Sequence, residues 1–249
     1  MTQSARDLES TFGRALQLLV RNWFIIIPGL VLAVVGAALS YAIVALFVGS
    51  YAVSGDGSAD AAAIPSLISA ILTLVMGILI AILQLAFVTG MAGGSWEHGK
   101  ASFRDGWAAF SHRSIQTFIA LLVLFVIGFC ATALIVPTFY LSLVAYVIFF
   151  VYTMASVIIG RNEAIAGLAE SCRMALANFV PTLAVVALVF AISWLGARVG
   201  DLIGQANPLL GSIAAAVLQQ AIVAYAALVI VGEYLKLRAT PDSRVTPSS

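Results

Sequence analysis

Glu97, His98 and His112 are the residues of this 249-residue chain best equipped for chemistry. Two imidazoles and a carboxylate are the ingredients of a metal centre or a proton-transferring site. Their spacing argues for neither. Zinc sites draw three or four ligands from tight spacings, whereas these histidines lie fourteen residues apart with no cysteine near them. They read as interfacial histidines. No nucleophile elbow, phosphate loop or nucleotide fingerprint stands in a suitable setting. The expectation is therefore a non-enzymatic chain with no catalytic residue, no cofactor site and no metal site.

Two other sets could act on a ligand. Gln84, Gln219 and Gln220 are polar side chains within otherwise apolar runs. They could line an uncharged pathway or hydrogen-bond between helices, and the second is the commoner use of amides in a membrane. Arg198 stands alone among apolar neighbours, with Asp201 three residues on. The spacing lets the two pair along a helix, and Arg198 is also a candidate contact for a lipid phosphate. Cys130 and Cys172 fall in different settings and predict no disulfide.

What must position these residues is a membrane bundle. The chain is 62% hydrophobic and 9% charged, far from the composition of soluble domains. No Asp, Glu, Lys, Arg or His falls within the long apolar runs, so transport coupled through a buried charge is not expected. The few Arg and Lys form no cluster, which leaves nucleic-acid binding without support.

The fold class expected is all-α: a polytopic membrane helix bundle of six transmembrane helices arranged as three hairpins, each preceded by an amphipathic surface helix. The surface helices are placed at 4–21, 102–114 and 162–178, and the spans at 23–48, 64–90, 115–136, 138–160, 180–197 and 209–232. Residues 1–238 form one membrane domain, and 239–249 a disordered cytoplasmic tail. The run from Trp23 to Val48 exceeds a signal-peptide core and reads as a retained span. From Ile115 to Gly160 there is no charge, and one helix of that length would be about 70 Å against a hydrocarbon core of about 30 Å. It must fold back, and Pro137 is the natural turn.

The central surface helix is the most pronounced. Phe103, Trp107 and Phe110 fall on one side at 100° per residue, and Arg104, Asp105, His112 and Arg113 on the other. Phe103, Trp107, Phe110, Arg104 and Arg113 are the candidate membrane-surface contacts. Ser102 and Asp105 have the form of a capping box, repeated at Ser4 and Asp7. In the third copy Ile165, Leu168, Cys172, Leu176 and Phe179 make the apolar stripe.

Eleven of the twelve Lys and Arg lie between or beyond these spans on one side, and Arg198 alone lies on the other. The positive-inside rule then puts both termini and all three surface helices in the cytoplasm.

The layout, the segment Gly99-Lys100-Ala101-Ser102-Phe103-Arg104-Asp105 and the segment from Glu163-Ala164-Ile165 through Ser171-Cys172-Arg173 resemble a group of bacterial six-span membrane proteins. These are related to the membrane domain attached to some glycerophosphodiester phosphodiesterases. The resemblance covers most of residues 8–238. It implies the bacterial cytoplasmic (inner) membrane and an anchor or accessory role. It does not carry the phosphodiesterase activity, because the catalytic barrel has no counterpart in these residues. The function expected is a membrane module that organises a partner protein or local lipid at the cytoplasmic face. An uncharged permease or lipid-handling protein is the alternative. Expected partners are the lipid bilayer and a partner membrane protein or a second copy of the chain.

Overall fold

In the computed structural model, which describes residues 3–49, 59–138, 140–206 and 208–239, every regular element is helical. The chain runs through α1 (Gln3–Arg21), α2 (Ile26–Val44), α3 (Ala59–His98), α4 (Phe103–Ala133), α5 (Leu141–Phe150), α6 (Thr153–Ile158), α7 (Ala164–Ala177), α8 (Phe179–Ala206) and α9 (Pro208–Ala239). Among the described residues six stretches are long and apolar enough to cross a membrane: Trp23–Phe47, Pro65–His98, Phe103–Ala133, Leu141–Ile158, Phe179–Gln205 and Gly211–Ala239. This is an all-α polytopic bundle. The side chains of Ser4 and Asp7, and the tail from Thr240, lie outside the described residues.

The hairpins are α2 with α3, α4 with α5 and α6, and α8 with α9. Helix α9 is the hub, touching α1, α2, α3, α6 and α8. Side chains face outward along most of the spans, as in Val34, Leu46, Phe129 and Phe190, where lipid rather than protein supplies the apolar surroundings. The packed core sits instead at the end where α1 and α7 lie. Ala15 and Leu18 of α1, Met91 and Ala92 of α3, Tyr152 just before α6 and Ala155 within it, Met174 of α7 and Leu228, Val231 and Tyr234 of α9 form one buried cluster there.

Five boundaries differ from the sequence expectation. Helix α3 runs on to His98, past the end expected at 90, because Gly90, Gly93 and Gly94 pack inside the helix instead of ending it. Residues 102–114 and the span after them are one unbroken helix, α4, with no joint near Ser114. The span placed at 138–160 is broken at Val151 and Tyr152, because the buried hydroxyl of Ser171 on α7 enters its ladder. It donates to Phe149 O at 2.8 Å and accepts from Tyr152 N at 3.2 Å, so both freed backbone groups are satisfied by the surface helix. Helix α8 runs on to Ala206, eight turns in place of five, since Arg198 and Asp201 end the apolar stretch without ending the helix. Helix α9 likewise continues through Glu233 to Ala239.

The fold-back at Pro137 is present as a single helical turn, Ile135–Thr138, between α4 and α5. Ser142 Oγ donates to Ala131 O at 2.8 Å and Tyr146 OH to Leu124 O at 3.0 Å, tying the two arms together. Gly196, Gly200 and Gly204 recur every fourth residue on α8. A Cβ at Gly200 would press on Ala215, and one at Gly211 would strike the backbone at Gly204. The α8 and α9 backbones therefore approach as closely as small-residue seams allow.

Candidate functional site

The end of the molecule that carries α1 and α7 also gathers its polar side chains. Helix α3 stops at Gly99, whose φ of +72° is open to glycine at little cost and whose N–H reaches Ser95 O at 2.9 Å. Buried Asn22 then fixes the connector: its Oδ1 accepts from Ala101 N at 2.9 Å, and its Nδ2 donates to Leu18 O at 3.0 Å and Gly99 O at 3.5 Å. Ser102 caps α4 as expected, its Oγ accepting from Arg104 N at 3.1 Å. Asp105 does not complete a capping box. Its carboxylate instead lies against α3 at Gly94, where any side chain would collide with it.

Helices α3 and α4 meet along Gly90, Gly94 and Gly106. A Cβ at Gly90 would strike Ala109, and one at Gly106 would strike Phe87. This contact separates two cavities on opposite sides of the pair.

On one side is a polar cleft of about 600 Å³, which takes in Glu97 and His98 from α3, Asp105, His112 and Arg113 from α4, and Arg161 from the turn after α6. The structure thus joins the two histidines and Glu97 that sequence spacing kept apart, because α3 and α4 run antiparallel from the Gly99 turn. Among the described residues, no three His, Cys, Asp or Glu side chains converge as a metal site. From Ile115 to Ala133, α4 offers about 28 Å of uncharged helix, close to a hydrocarbon core. A hydrocarbon core matched to that stretch would leave the cleft at its edge.

On the other side is an apolar groove of about 480 Å³ lined by Phe24, Pro28, Met91, Phe103 and Trp107 among others. Phe103, Trp107 and Phe110 stand 5.0, 6.1 and 6.3 Å from the ring of Phe87, centroid to centroid. The aromatic face read from the sequence is thus seated on α3. Phe103 and Trp107 still leave more than half their surface open. Arg104 is exposed and lies apart from Arg113, which lines the cleft.

The wall of the cleft near Arg161 is held by Glu170 of α7. Its Oε2 accepts from Ser156 Oγ, from Asn162 Nδ2 and, at 3.2 Å, from Tyr234 OH. Asn162 Nδ2 also donates to Ser156 Oγ at 2.8 Å. Anchored by its neighbour, Arg161 takes φ +58°, a region L side chains seldom adopt. Beside this network, fully buried Glu233 accepts from Thr11 Oγ1 at 3.3 Å and lies 3.5 Å from Lys236 Nζ. Glu170, Glu233 and Arg161 escaped the sequence reading. Glu233 follows the last apolar run directly, and nothing in its neighbours marks it as buried.

The amides divide. Gln84 Nε2 donates to Gln220 Oε1 at 2.7 Å, joining α3 to α9, and a Cβ at Gly29 on α2 would collide with the Gln220 amide. Gln219 faces away into an open crevice between α8 and α9, about 930 Å³, together with Arg198 and Asp201. Arg198 makes no ion pair with Asp201; its guanidinium lies 5.4 Å from the ring centroid of Trp194. Cys130 and Cys172 are free thiols, and burial pushes the Cys172 thiol up from its ordinary pKa.

No protein-family model, curated protein or solved structure matches this chain.

Proposed function

We propose that this chain is a non-enzymatic membrane module that organises local lipid, and with it a partner membrane protein, at the cytoplasmic face of a bacterial inner membrane. The observation that carries the reading is where the polar groups are placed. The cleft, its arginines and the core all lie at the end bearing α1 and α7. Across the hydrocarbon, Gln84 and Gln220 satisfy each other rather than a passing solute. The positive-inside rule assigns that end to the cytoplasm. The layout resemblance to the membrane domain of glycerophosphodiester phosphodiesterases supports the same accessory role.

Native mass spectrometry of the protein released from vesicles of mixed lipid tests this directly. Lipid adducts that survive delipidating detergent, and a melting temperature that rises when lipid is restored, are expected. A bare protein whose stability ignores added lipid would sink the reading. The permease alternative has one observation in its favour, the shared crevice of Gln219 and Arg198. Solute flux into proteoliposomes that disappears in Gln219→Leu would select it instead.

A further inference from the structure

Six ionisable side chains, Glu97, His98, Asp105, His112, Arg113 and Arg161, share the cleft between α3 and α4. None of them makes an ion pair or a side-chain hydrogen bond with any other described residue. The neighbouring carboxylates differ: Glu170 takes three donors and Glu233 takes Thr11 and Lys236. Glu97, His98, His112 and Arg161 are exposed and Asp105 and Arg113 half-buried, so these charges are open to a ligand of matching charge.

We propose that this cleft binds a phosphate ester bearing a primary ammonium group, the chemistry of a phosphoethanolamine head group. Arg113 and Arg161 hold the phosphate, and Glu97 and Asp105 hold the ammonium. The proposal rests on the lipid-organising reading above and names the lipid class. Its argument is one of sign. Guanidinium groups suit phosphate through paired N–H donors, but two carboxylates facing the same volume would repel a ligand that is only anionic. A ligand carrying both charges a few ångströms apart satisfies both sets.

The nature of the cation follows from the walls. An ammonium offers three N–H donors to carboxylates, whereas a quaternary amine has none and is held by aromatic faces. Among the described residues no Phe, Tyr or Trp lines the cleft, since Phe103, Trp107 and Phe110 lie with Phe87 across the α3–α4 contact. A second observation is the backbone of Arg161, held at φ +58° at the cleft wall by the Asn162 anchor. An uncommon conformation kept in place by its neighbours is typical of a positioned binding group. Glycines on α3 keep the floor low: a side chain at Gly93 would run into Ile159, and one at Gly94 into Asp105.

The test uses the full chain in vesicles with equal phosphatidylethanolamine, phosphatidylcholine and phosphatidylglycerol, with retained lipid read by native mass spectrometry. Phosphatidylethanolamine should be enriched about tenfold over each competitor, equivalent to about 1.4 kcal/mol. Arg113→Gln with Arg161→Gln should abolish the enrichment. Glu97→Gln with Asp105→Asn should transfer it to phosphatidylglycerol, because the remaining cations accept an anion unaided. Glu97→Gln alone, at an exposed position, should weaken the preference without disturbing the fold.

Competition with soluble glycerophosphoethanolamine separates the sources of this chemistry. Displacement of the lipid shows a site for the free ester as well, and retention of the lipid shows that its membrane context is needed. Retained lipid with no head-group preference would overturn this proposal while leaving the lipid-organising reading intact. No retained lipid would instead sink that reading.

Discussion

Asn22 and Asn178 hold the same backbone conformation, φ −121° and ψ 44° at one and φ −128° and ψ 50° at the other. Each stands where a surface helix gives way to a span. The conformation interrupts the helical ladder, and each Nδ2 turns back to a carbonyl four residues earlier, Leu18 O at 3.0 Å and Met174 O at 3.2 Å. An aromatic residue follows in both, Trp23 and Phe179, and a proline near the start of the new helix, Pro28 and Pro181. The sequence around Ser114 has no asparagine, and there the helix continues unbroken.

The two asparagines should differ in weight. Asn22 also accepts from buried Ala101 N, so Asn22→Ala leaves that donor unpaired and should cost about 1–3 kcal/mol. Asn178→Ala loses only a bond within its own helix end and should cost about 1 kcal/mol. Thermal unfolding in one detergent compares them, and equal losses would refute the role given to Asn22 in fixing the Gly99–Ala101 connector.

Gly29→Ala should destabilise the bundle, because its Cβ meets the Gln220 amide. Much of that loss should vanish in a Gln220→Ala background. A double-mutant cycle with Gln84→Leu and Gln220→Leu should give a coupling of about 0.6 kcal/mol, the average for such pairs in membranes. Zero coupling would mean that the two amides act separately.

Glu170→Ala removes the acceptor shared by Ser156, Asn162 and Tyr234 and should cost about 3 kcal/mol. Glu170→Gln retains one acceptor oxygen and should cost about 1 kcal/mol. Hydrogen exchange at Gly160–Glu163 should quicken in the same order. An unchanged exchange rate in the alanine variant would show that the turn stands without Glu170.

Cys172 should be a slow thiol. Burial disfavours its thiolate, which is the nucleophile, so maleimide labelling at pH 7 should lag a solvent-exposed cysteine and gain on it as the pH rises. A rate at pH 7 equal to that of a free thiol would contradict the partial burial of this α7 side chain.

Reporter fusions after Gly99, Asn162 and Arg238 should report the cytoplasm, and fusions after Gly57, Thr138 and Asn207 the outside. One reversed pair breaks the orientation. Gly57 and Asn207 lie outside the described residues, so these two rest on the charge pattern alone.

Features written into neighbouring residues were legible in the sequence. The six apolar runs, the turn at Pro137, the Ser102 cap and the opposed faces of residues 103–113 all follow from composition and periodicity. Features created by contact were not. The break at Tyr152 depends on Ser171, nineteen residues away, and no local signal at Val151 marks it. Glu233 reads as the end of a membrane segment, and only the seating of α1 over α9 reveals it as buried. The cleft was half legible: Glu97, His98 and His112 were visible as candidates. Their union with Arg161 requires three elements to meet. Gly196, Gly200 and Gly204 were in plain view, but a four-residue spacing of small residues means little in an alanine-rich chain until a partner helix is known.

The bond from Thr11 to Glu233 spans 222 residues, and that from Tyr225 to Phe12 spans 213. Helix α1 therefore takes its seat on a helix made long after it. At ordinary elongation rates it waits roughly 10–40 s for that partner, lying on the membrane with its apolar stripe unmatched by protein. Seating of α1 thus waits on synthesis of α9, since a chain truncated before Tyr225 lacks the surface that receives α1. Such a fragment would present an unseated α1 to the membrane's quality-control proteases, whereas a chain that includes α9 covers it.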